Sequence, residues 1–546
     1  MAWYDEAIFY HIYPLGMTDA PKLNSYGEAE KRLLKLIPWI GHIRRLGCNA
    51  VYIGPLFESV GHGYETTDYK KLDSRLGTNE ELKLFVSECH KQGLKVIFDG
   101  VFNHTGRDFF AFRDLKEKRE ASEYKDWYCN VNFYGNNEYG DGFSYGNWGG
   151  YDLLAKLNQH NSQVVEYICD VIRFWVKEFD VDGIRLDAAD VLDFDFMKAL
   201  RKTANEVKAD FWLMGEVIHG DYNRWVNEGT LHSVTNYHLH KALYSGHNDH
   251  NYFEIAHTVK RLNDMGLSGK MKLYNFVDNH DVERIFTKLS KKSHFLPVHI
   301  LLYTLPGIPS VYYGSEFGIE GKKMKGSDDS LRPALSFENY KNAIEENSLT
   351  GLVSALGKTR QKLKALSYGD YRELLLRNRQ YAFSRSFEGE TVIVTVNNDD
   401  ADFTFTLPAG NAEKYVGSLF GGSADVVNST VTVTVGGNSG EIWVPVGKAG
   451  KAVSSLDAEA FKVKPEEKKQ EPVKEEKAEK KPEKSKNEKA VTVPENIPYE
   501  EMSVEQLQQA ILMKMAKNGP VTDRMRKDVE ENIWHDSLVN WVKSFR

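Results

Sequence analysis

The sequence predicts an α/β fold: a (β/α)8 TIM barrel with an inserted domain, then a C-terminal antiparallel β-sandwich. Three observations predict it. Short apolar runs alternate with amphipathic stretches through about residue 370, the rhythm of strands and helices around a closed parallel sheet. Carboxylates close three of the runs: Asp187 in Gly183-Ile184-Arg185-Leu186-Asp187, Glu216 in Leu213-Met214-Gly215-Glu216, and Asp281 in Phe276-Val277-Asp278-Asn279-His280-Asp281. Asp187 and Glu216 lie 29 residues apart, and Glu216 and Asp281 lie 65 apart. One strand-plus-helix unit takes about 30 residues, so the gaps fit one unit and two.

Taken in order, the expected barrel strands are 8–13, 50–53, 96–102, 183–187, 211–216, 233–237, 272–277 and 310–313. Helices are expected between them, at 28–46, 79–92, 162–178 and 196–207. The stretch 104–158 is rich in Gly, Asn, Tyr and Trp and breaks the rhythm, so it reads as a domain inserted after the third strand. These pieces make up a catalytic domain over 1–370. Over 371–449 the texture changes. Segments 381–387, 391–396, 402–407 and 430–435 are β-branched and punctuated by Asn, Asp and Gly turns, as in an antiparallel β-domain. Residues 450–497 hold a Lys/Glu/Pro run that offers nothing to bury and reads as a disordered, extended linker. A small helical tail is expected over 498–546. It opens on a capping box at Ser503-Val-Glu-Gln506, with Val504, Leu507, Ile511 and Met515 at helical spacing. A second helix near Thr522 and an apolar stripe from Ile533 to Phe545 follow Gly519-Pro520. A module on a solvated arm suits docking to another protein or self-association.

Bulk properties narrow the class. The formal charge is −8 over 546 residues, which argues against nucleic acid as the main partner. The four cysteines, Cys48, Cys89, Cys129 and Cys169, are scattered without metal-ligand spacing. No run reaches membrane-spanning length, and the apolar run after Met1 reads as a strand rather than a signal peptide. A cytoplasmic protein with no membrane partner is expected.

Acids at the carboxyl ends of successive barrel strands converge on one mouth. Converging carboxylates suit glycosidic bond cleavage, which needs one acid for the leaving oxygen and one carboxylate for the anomeric carbon. Arg185 and Asp187 are two apart on a strand and share a face, and a guanidinium beside a carboxylate keeps it ionised, as a nucleophile must be. Glu216, partly desolvated and next to other acids, is expected to have a raised pKa, as a general acid needs. Asn279 and His280 flank Asp281 and can hydrogen-bond sugar hydroxyls. Asp99, in Asp99-Gly-Val-Phe-Asn103-His104, is placed to brace Arg185, and His104 to face a sugar. Asn103 is a candidate oxygen ligand for a structural calcium; the chemistry itself requires no cofactor. His62-Gly63-Tyr64 follows the second strand and offers a Tyr face to a sugar ring.

These segments, in this order, resemble the α-amylase family, glycoside hydrolase family 13. The matching stretches are 99–104, 183–189, 215–217 and 276–281, supported by Tyr10-His-Ile-Tyr-Pro14, Gly54-Pro-Leu-Phe57, His62-Gly-Tyr64 and Gly307-Ile-Pro-Ser-Val-Tyr-Tyr-Gly314. The resemblance spans about residues 1–450. It implies a retaining hydrolase acting on α-1,4 bonds of maltodextrins or cyclodextrins, with Asp187 as nucleophile, Glu216 as acid/base and Asp281 as transition-state stabiliser. It also implies that Arg185, His104, His280 and Tyr64 line the cleavage subsite, and that Asp328 and Arg332 are the family's late Asp/Arg pair. Leu154-Ala-Lys-Leu-Asn158 is similar to the signature of the neopullulanase and cyclomaltodextrinase branch. That branch's N-terminal domain is expected to be absent, because the first strand begins within ten residues of Met1. Asp190-Val191 and Ile218 stand where the branch has Asn-Glu and Trp. A transglycosylase would keep the same three acids; a non-catalytic binder would have lost one, and none is missing.

Overall fold

The computed structural model describes residues 2–267, 269, 271–447, 499, 502–518, 529 and 542. The chain divides into two compact units at residue 467. In the first, eight parallel strands run β1 (Phe9–Ile12), β2 (Ala50–Ile53), β3 (Lys95–Gly100), β4 (Gly183–Leu186), β5 (Trp212–Gly215), β6 (Ser233–Val234), β7 (Tyr274–Asn275) and β8 (Ile308–Tyr312). Neighbours pair in sequence from β1 to β6, β7 pairs with β8, and β8 pairs with β1. The ring closes between β6 and β7 through the parallel bridge Thr235–Tyr274.

Alternation along the strands divides two cores, because successive side chains point to opposite faces. Phe9, Tyr52, Ile97, Trp212, Met214 and Tyr274 fill the cylinder, where the Trp212 and Phe9 rings stack at 5.2 Å. Ile8, Tyr10, Val51, Val96 and Leu213 face the surrounding helices. Those helices are α1 (Trp39–Arg45), α2 (Asn79–Lys91), α3 (Ser162–Phe179), α4 (Phe194–Val207), α5 (Tyr237–Asn248), α6 (Tyr252–Asp264), α7 (Phe295–Thr304) and α8 (Ser348–Lys362). At α2 the start signal is explicit. Thr78 accepts from the Glu80 N–H and Glu81 reaches back to the Thr78 N–H, a capping box contributing about 1 kcal/mol.

Two elements differ from expectation. The helix expected over 28–46 is a 3-10 turn, Arg32–Leu36, followed by α1. Pro38 separates them, since proline lacks the N–H that a continuous helix requires. The β5–β6 connection carries only the short 3-10 turn Tyr222–Arg224 in place of a helix.

The segment after β3 forms the inserted domain. His104–Thr105 pairs antiparallel with Tyr151–Lys156, which returns the chain to the barrel beside the point where it left. The C-terminal part of this unit has eight antiparallel strands: β9 (Asp370–Leu376), β10 (Gln380–Phe387), β11 (Glu390–Asn397), β12 (Phe403–Pro408), β13 (Lys414–Gly417), β14 (Ser423–Val427), β15 (Thr430–Val435) and β16 (Ser439–Val446). Their spatial order is β9-β10-β11-β16-β13-β14-β15-β12. They fold sandwich-like around Phe405, Leu407, Tyr415, Val431, Val433 and Trp443.

In the second unit, α9 (Val504–Asn518) starts at the expected capping box: the Ser503 N–H donates to Gln506 Oε1 at 2.8 Å and the Gln506 N–H to Ser503 Oγ at 3.3 Å. Leu507, Ala510 and Ile511 are buried with Met502, Val529 and Val542. The expected linker over 450–497 and, apart from Val529 and Val542, the expected second helix and apolar stripe lie outside the described residues.

Candidate active site

The carboxyl ends of β3, β4, β5 and β7 build the site, and Arg185 is its hub. Asp99 on β3 is the register partner of Arg185 on β4, and both side chains point into the mouth. Arg185 is 3% exposed and bonds three acids. Nη1 lies 2.8 Å from Asp99 Oδ1 and 2.8 Å from Asp187 Oδ1; Nη2 lies 2.8 Å from Glu216 Oε2. Tyr52 OH donates to Asp99 at 2.8 Å.

The backbone enforces this convergence. Ala188, immediately after Asp187, adopts a left-handed conformation with φ 46°, strained for a residue with a Cβ. Its N–H donates to Glu216 Oε2 at 3.1 Å, tying the ends of β4 and β5 together. Gly215 precedes Glu216 because a Cβ there would sit 2.4 Å from Leu231 and 2.7 Å from Ala189.

Asp281 anchors the opposite wall. His280 Nε2 lies 3.0 Å from Asp281 Oδ2, and Arg332 Nη2 lies 2.9 Å from Asp281 Oδ1 and 3.1 Å from Asp328 Oδ2. Arg332 also donates to the His280 carbonyl at 3.0 Å. The His280 ring lies near-parallel between two tyrosines, Tyr13 at 5.9 Å and Tyr64 at 5.7 Å. Tyr64 OH bonds both Asp99 and His280 Nε2, so it links the two walls.

His62 and His104 take other positions. The His62 side chain is half exposed at the rim and pairs with Glu65 at 3.1 Å. His104 is buried and its Nε2 lies 3.0 Å from the Tyr64 carbonyl, so it supports the Tyr64 loop. Burial lowers its pKa to about 4, and the ring is neutral. Asn103 is fully buried; its amide nitrogen faces His104 Nδ1 at 3.2 Å, and its Oδ1 accepts from Gln159 at 3.4 Å. Among the described residues no group of three or more His, Cys, Asp and Glu is arranged to hold a metal. Asn103 Oδ1 is taken up by the Gln159 amide and its nitrogen donates to His104, a setting that does not fit a calcium site, which needs six to eight oxygens.

Sequence reasoning did not assign roles to Tyr13, Glu65 and Tyr237. Tyr237 OH lies 3.5 Å from Glu216 Oε1 and accepts from Asn279 at 3.2 Å, so it joins the β5 and β7 loops. Glu65, buried, accepts from the Gly63 N–H at 3.2 Å and shapes the turn that presents Tyr64. Gly63 has φ +99°, and a Cβ there would lie 2.6 Å from Pro55, so the turn requires glycine. Tyr13 OH donates to the His62 carbonyl at 2.6 Å. Tyr13 lies inside the Tyr10-His-Ile-Tyr-Pro14 motif, which is its signal in the sequence; Tyr237 has none.

The charges are unequal. Burial pushes the Asp187 carboxyl well above the usual range; Arg185 opposes this, while Glu216 and Asp99 reinforce it. This departs from the expectation that Arg185 would dominate: one guanidinium is shared by three acids. At Asp281 burial also pulls upward, but His280 and Arg332 win and hold it well below the usual range. The site therefore keeps Asp281 ionised while burial works against the charge on Asp187.

A closed parallel barrel that gathers three carboxyl groups, Asp187, Glu216 and Asp281, at one mouth is the architecture of the barrel glycosidases. Comparison with known proteins agrees. The family model "Alpha amylase, catalytic domain" matches residues 35–349. A cyclomaltodextrinase from Bacillus sp is 30% identical over 435 residues, covering 75% of each chain. An intracellular maltogenic amylase from Bacillus subtilis is 27% identical over 417 residues, covering 72% of this chain and 69% of the relative. A solved cyclomaltodextrinase structure superposes with a TM-score of 0.71 at 27% identity, covering 81% of this chain and 78% of the other. The chain belongs to the alpha-amylase family and is a glycoside hydrolase.

Proposed function

We propose that this enzyme hydrolyses α-1,4 bonds of short maltodextrins or cyclodextrins with retention of anomeric configuration. The observation that carries the mechanism is the shared guanidinium. Asp187 and Glu216 contact the two terminal nitrogens of Arg185, each at 2.8 Å. Those nitrogens are adjacent, which favours the carboxyl spacing of about 5–5.5 Å of retaining enzymes over the about 6.5–9.5 Å of inverting ones. The names of the cyclomaltodextrinase and maltogenic amylase relatives support the substrate class.

In this reading Asp187 attacks the anomeric carbon as Glu216 delivers its proton to the departing glycosidic oxygen. A covalent glycosyl–Asp187 ester forms and the shortened glucan leaves. Glu216, now a carboxylate, takes a proton from water; the water oxygen attacks the anomeric carbon and the Asp187 ester bond breaks. Asp281, held ionised by His280 and Arg332, stabilises positive charge on the sugar ring in both transition states. Tyr64, His280 and Arg332 shape the pocket around that ring, with Asp328 orienting Arg332. The chemistry asks for no cofactor, since the carboxylates supply both nucleophile and proton. We place the enzyme in the cytoplasm. All four cysteines are free, no helix among the described residues is long and apolar enough to cross a membrane, and the Bacillus subtilis relative is named intracellular.

NMR of the first-formed product from maltoheptaose tests the mechanism. The α-anomer should appear first; a β-anomer would exclude double displacement. Products longer than the substrate would show that a sugar replaces water in the second step.

The mechanism needs one proton on the Asp187–Glu216 pair. At high pH the Asp187–Glu216 pair loses it, and the leaving oxygen has no acid. At low pH the second carboxylate is protonated, and the nucleophile is quenched. Asp281 stays charged throughout. A bell-shaped kcat/KM is expected. In Glu216→Gln, assayed on aryl maltosides, the alkaline limb should disappear while the acid limb remains. An unchanged alkaline limb would assign the proton to another group.

A further inference from the structure

Away from the mouth, the barrel and the β-sandwich form an open cleft of about 770 Å³ between the start of α7, the start of α8 and the β15–β16 turn. Its volume falls within the range of ligand sites, roughly 300–1,000 Å³. Phe420, from the sandwich, is 39% exposed and offers an open ring face. A second ring on the wall, Phe286, is covered by the Lys292 ammonium at 4.7 Å. Lys292 also pairs with Glu320 at 2.8 Å, so its charge is balanced. Ser293, Asn438 and Ser439 add hydroxyl and amide groups to the wall.

This lining has a definite preference. An open aromatic face accepts the C–H face of a pyranose, and hydroxyl, amide and ammonium groups around it match sugar hydroxyls. The balanced lysine gives no uncompensated cation to select a phosphate or carboxylate. Apolar and polar groups line it together, and the volume is large enough for a few sugar units.

We infer that this cleft is a second, non-catalytic site for a neutral α-glucan of two or three units, with Phe420 as its stacking platform. The inference rests on the α-glucan reading of the active site. A glucan chain held there raises the effective concentration of its other segments for the catalytic mouth, and this gain grows with substrate length.

Calorimetric titration of maltotriose tests it, with Glu216→Gln used to prevent turnover. Two sites are expected. Adding Phe420→Ala should leave one, and Phe420→Trp in its place should restore the second. In the otherwise native enzyme, Phe420→Ala should leave kcat/KM on maltotriose unchanged and lower it about tenfold on long amylose. A single site unaffected by Phe420→Ala, in an enzyme that hydrolyses maltotriose, overturns this inference and leaves the active-site reading intact. A Phe420-dependent site in an enzyme that hydrolyses no α-glucan upholds the cleft and overturns the reaction.

Discussion

Asp187→Asn is expected to reduce kcat on maltodextrins by on the order of 10⁴–10⁶-fold, the scale seen when a catalytic nucleophile is removed. The loss should be as severe on aryl maltosides, because a better leaving group does not replace the attacking oxygen. Folding should survive. The substitution removes one negative charge from three acids crowding Arg185, and Asp99 and Glu216 still pair with the guanidinium at 2.8 Å. The midpoint of thermal unfolding should therefore stay level or rise, since burial disfavours the Asp187 charge. Steady-state assays on both substrates, read beside a melting curve, decide it. Turnover within about tenfold of native would take the nucleophile's role away from Asp187.

Glu216→Gln should separate the two chemical steps. On unactivated maltodextrins the loss should be about 10²–10⁴-fold, the usual contribution of a positioned acid. On substrates with a good leaving group the first step needs little protonation and should be nearly normal. The second step still lacks its base, so the glycosyl–Asp187 ester should accumulate and give a burst of released phenol. The glutamine oxygen can still accept from Arg185 Nη2, which preserves the geometry. Stopped-flow release of the aryl group measures the burst. Equal losses on both substrates, without a burst, would contradict the assigned role.

Much of this architecture was legible in the sequence. β2 and β15 lie where the apolar runs place them; Asp187 and Glu216 directly follow their strands and Asp281 stands in the loop after β7, because barrel strands present their carboxyl ends to one mouth. What local pattern cannot show is convergence between distant loops. Tyr237 meets Glu216 and Asn279 only because β6 lies beside both partners in the closed ring. The same limit hid β9. Its Asp-Tyr-Arg-Glu-Leu-Leu-Leu reads as helical, yet cross-strand pairing with β10, bulged between Glu373 and Leu375, makes it an edge strand. Pro38 was the one local signal overlooked in the 28–46 segment. Charge balance was also beyond sequence: Arg185 beside Asp187 suggested a simple ion pair, and only the folded ring shows three acids drawing on one guanidinium.

The closure of the cylinder has a consequence of its own. β6 and β7 are two residues each, and their meeting is held by the Thr235–Tyr274 bridge and by an amide-to-amide contact, Asn236 to Asn275, at 2.8 Å. The staves of the barrel are thus least bonded along one seam, and side chains stitch it in place of a full backbone ladder. Above that seam stand Tyr237, at the start of α5, and Asp281, in the loop after β7. The groups that must tighten around a flattening sugar ring therefore stand beside the least bonded edge of the ring, while Asp99 and Arg185 stand on a full ladder between β3 and β4.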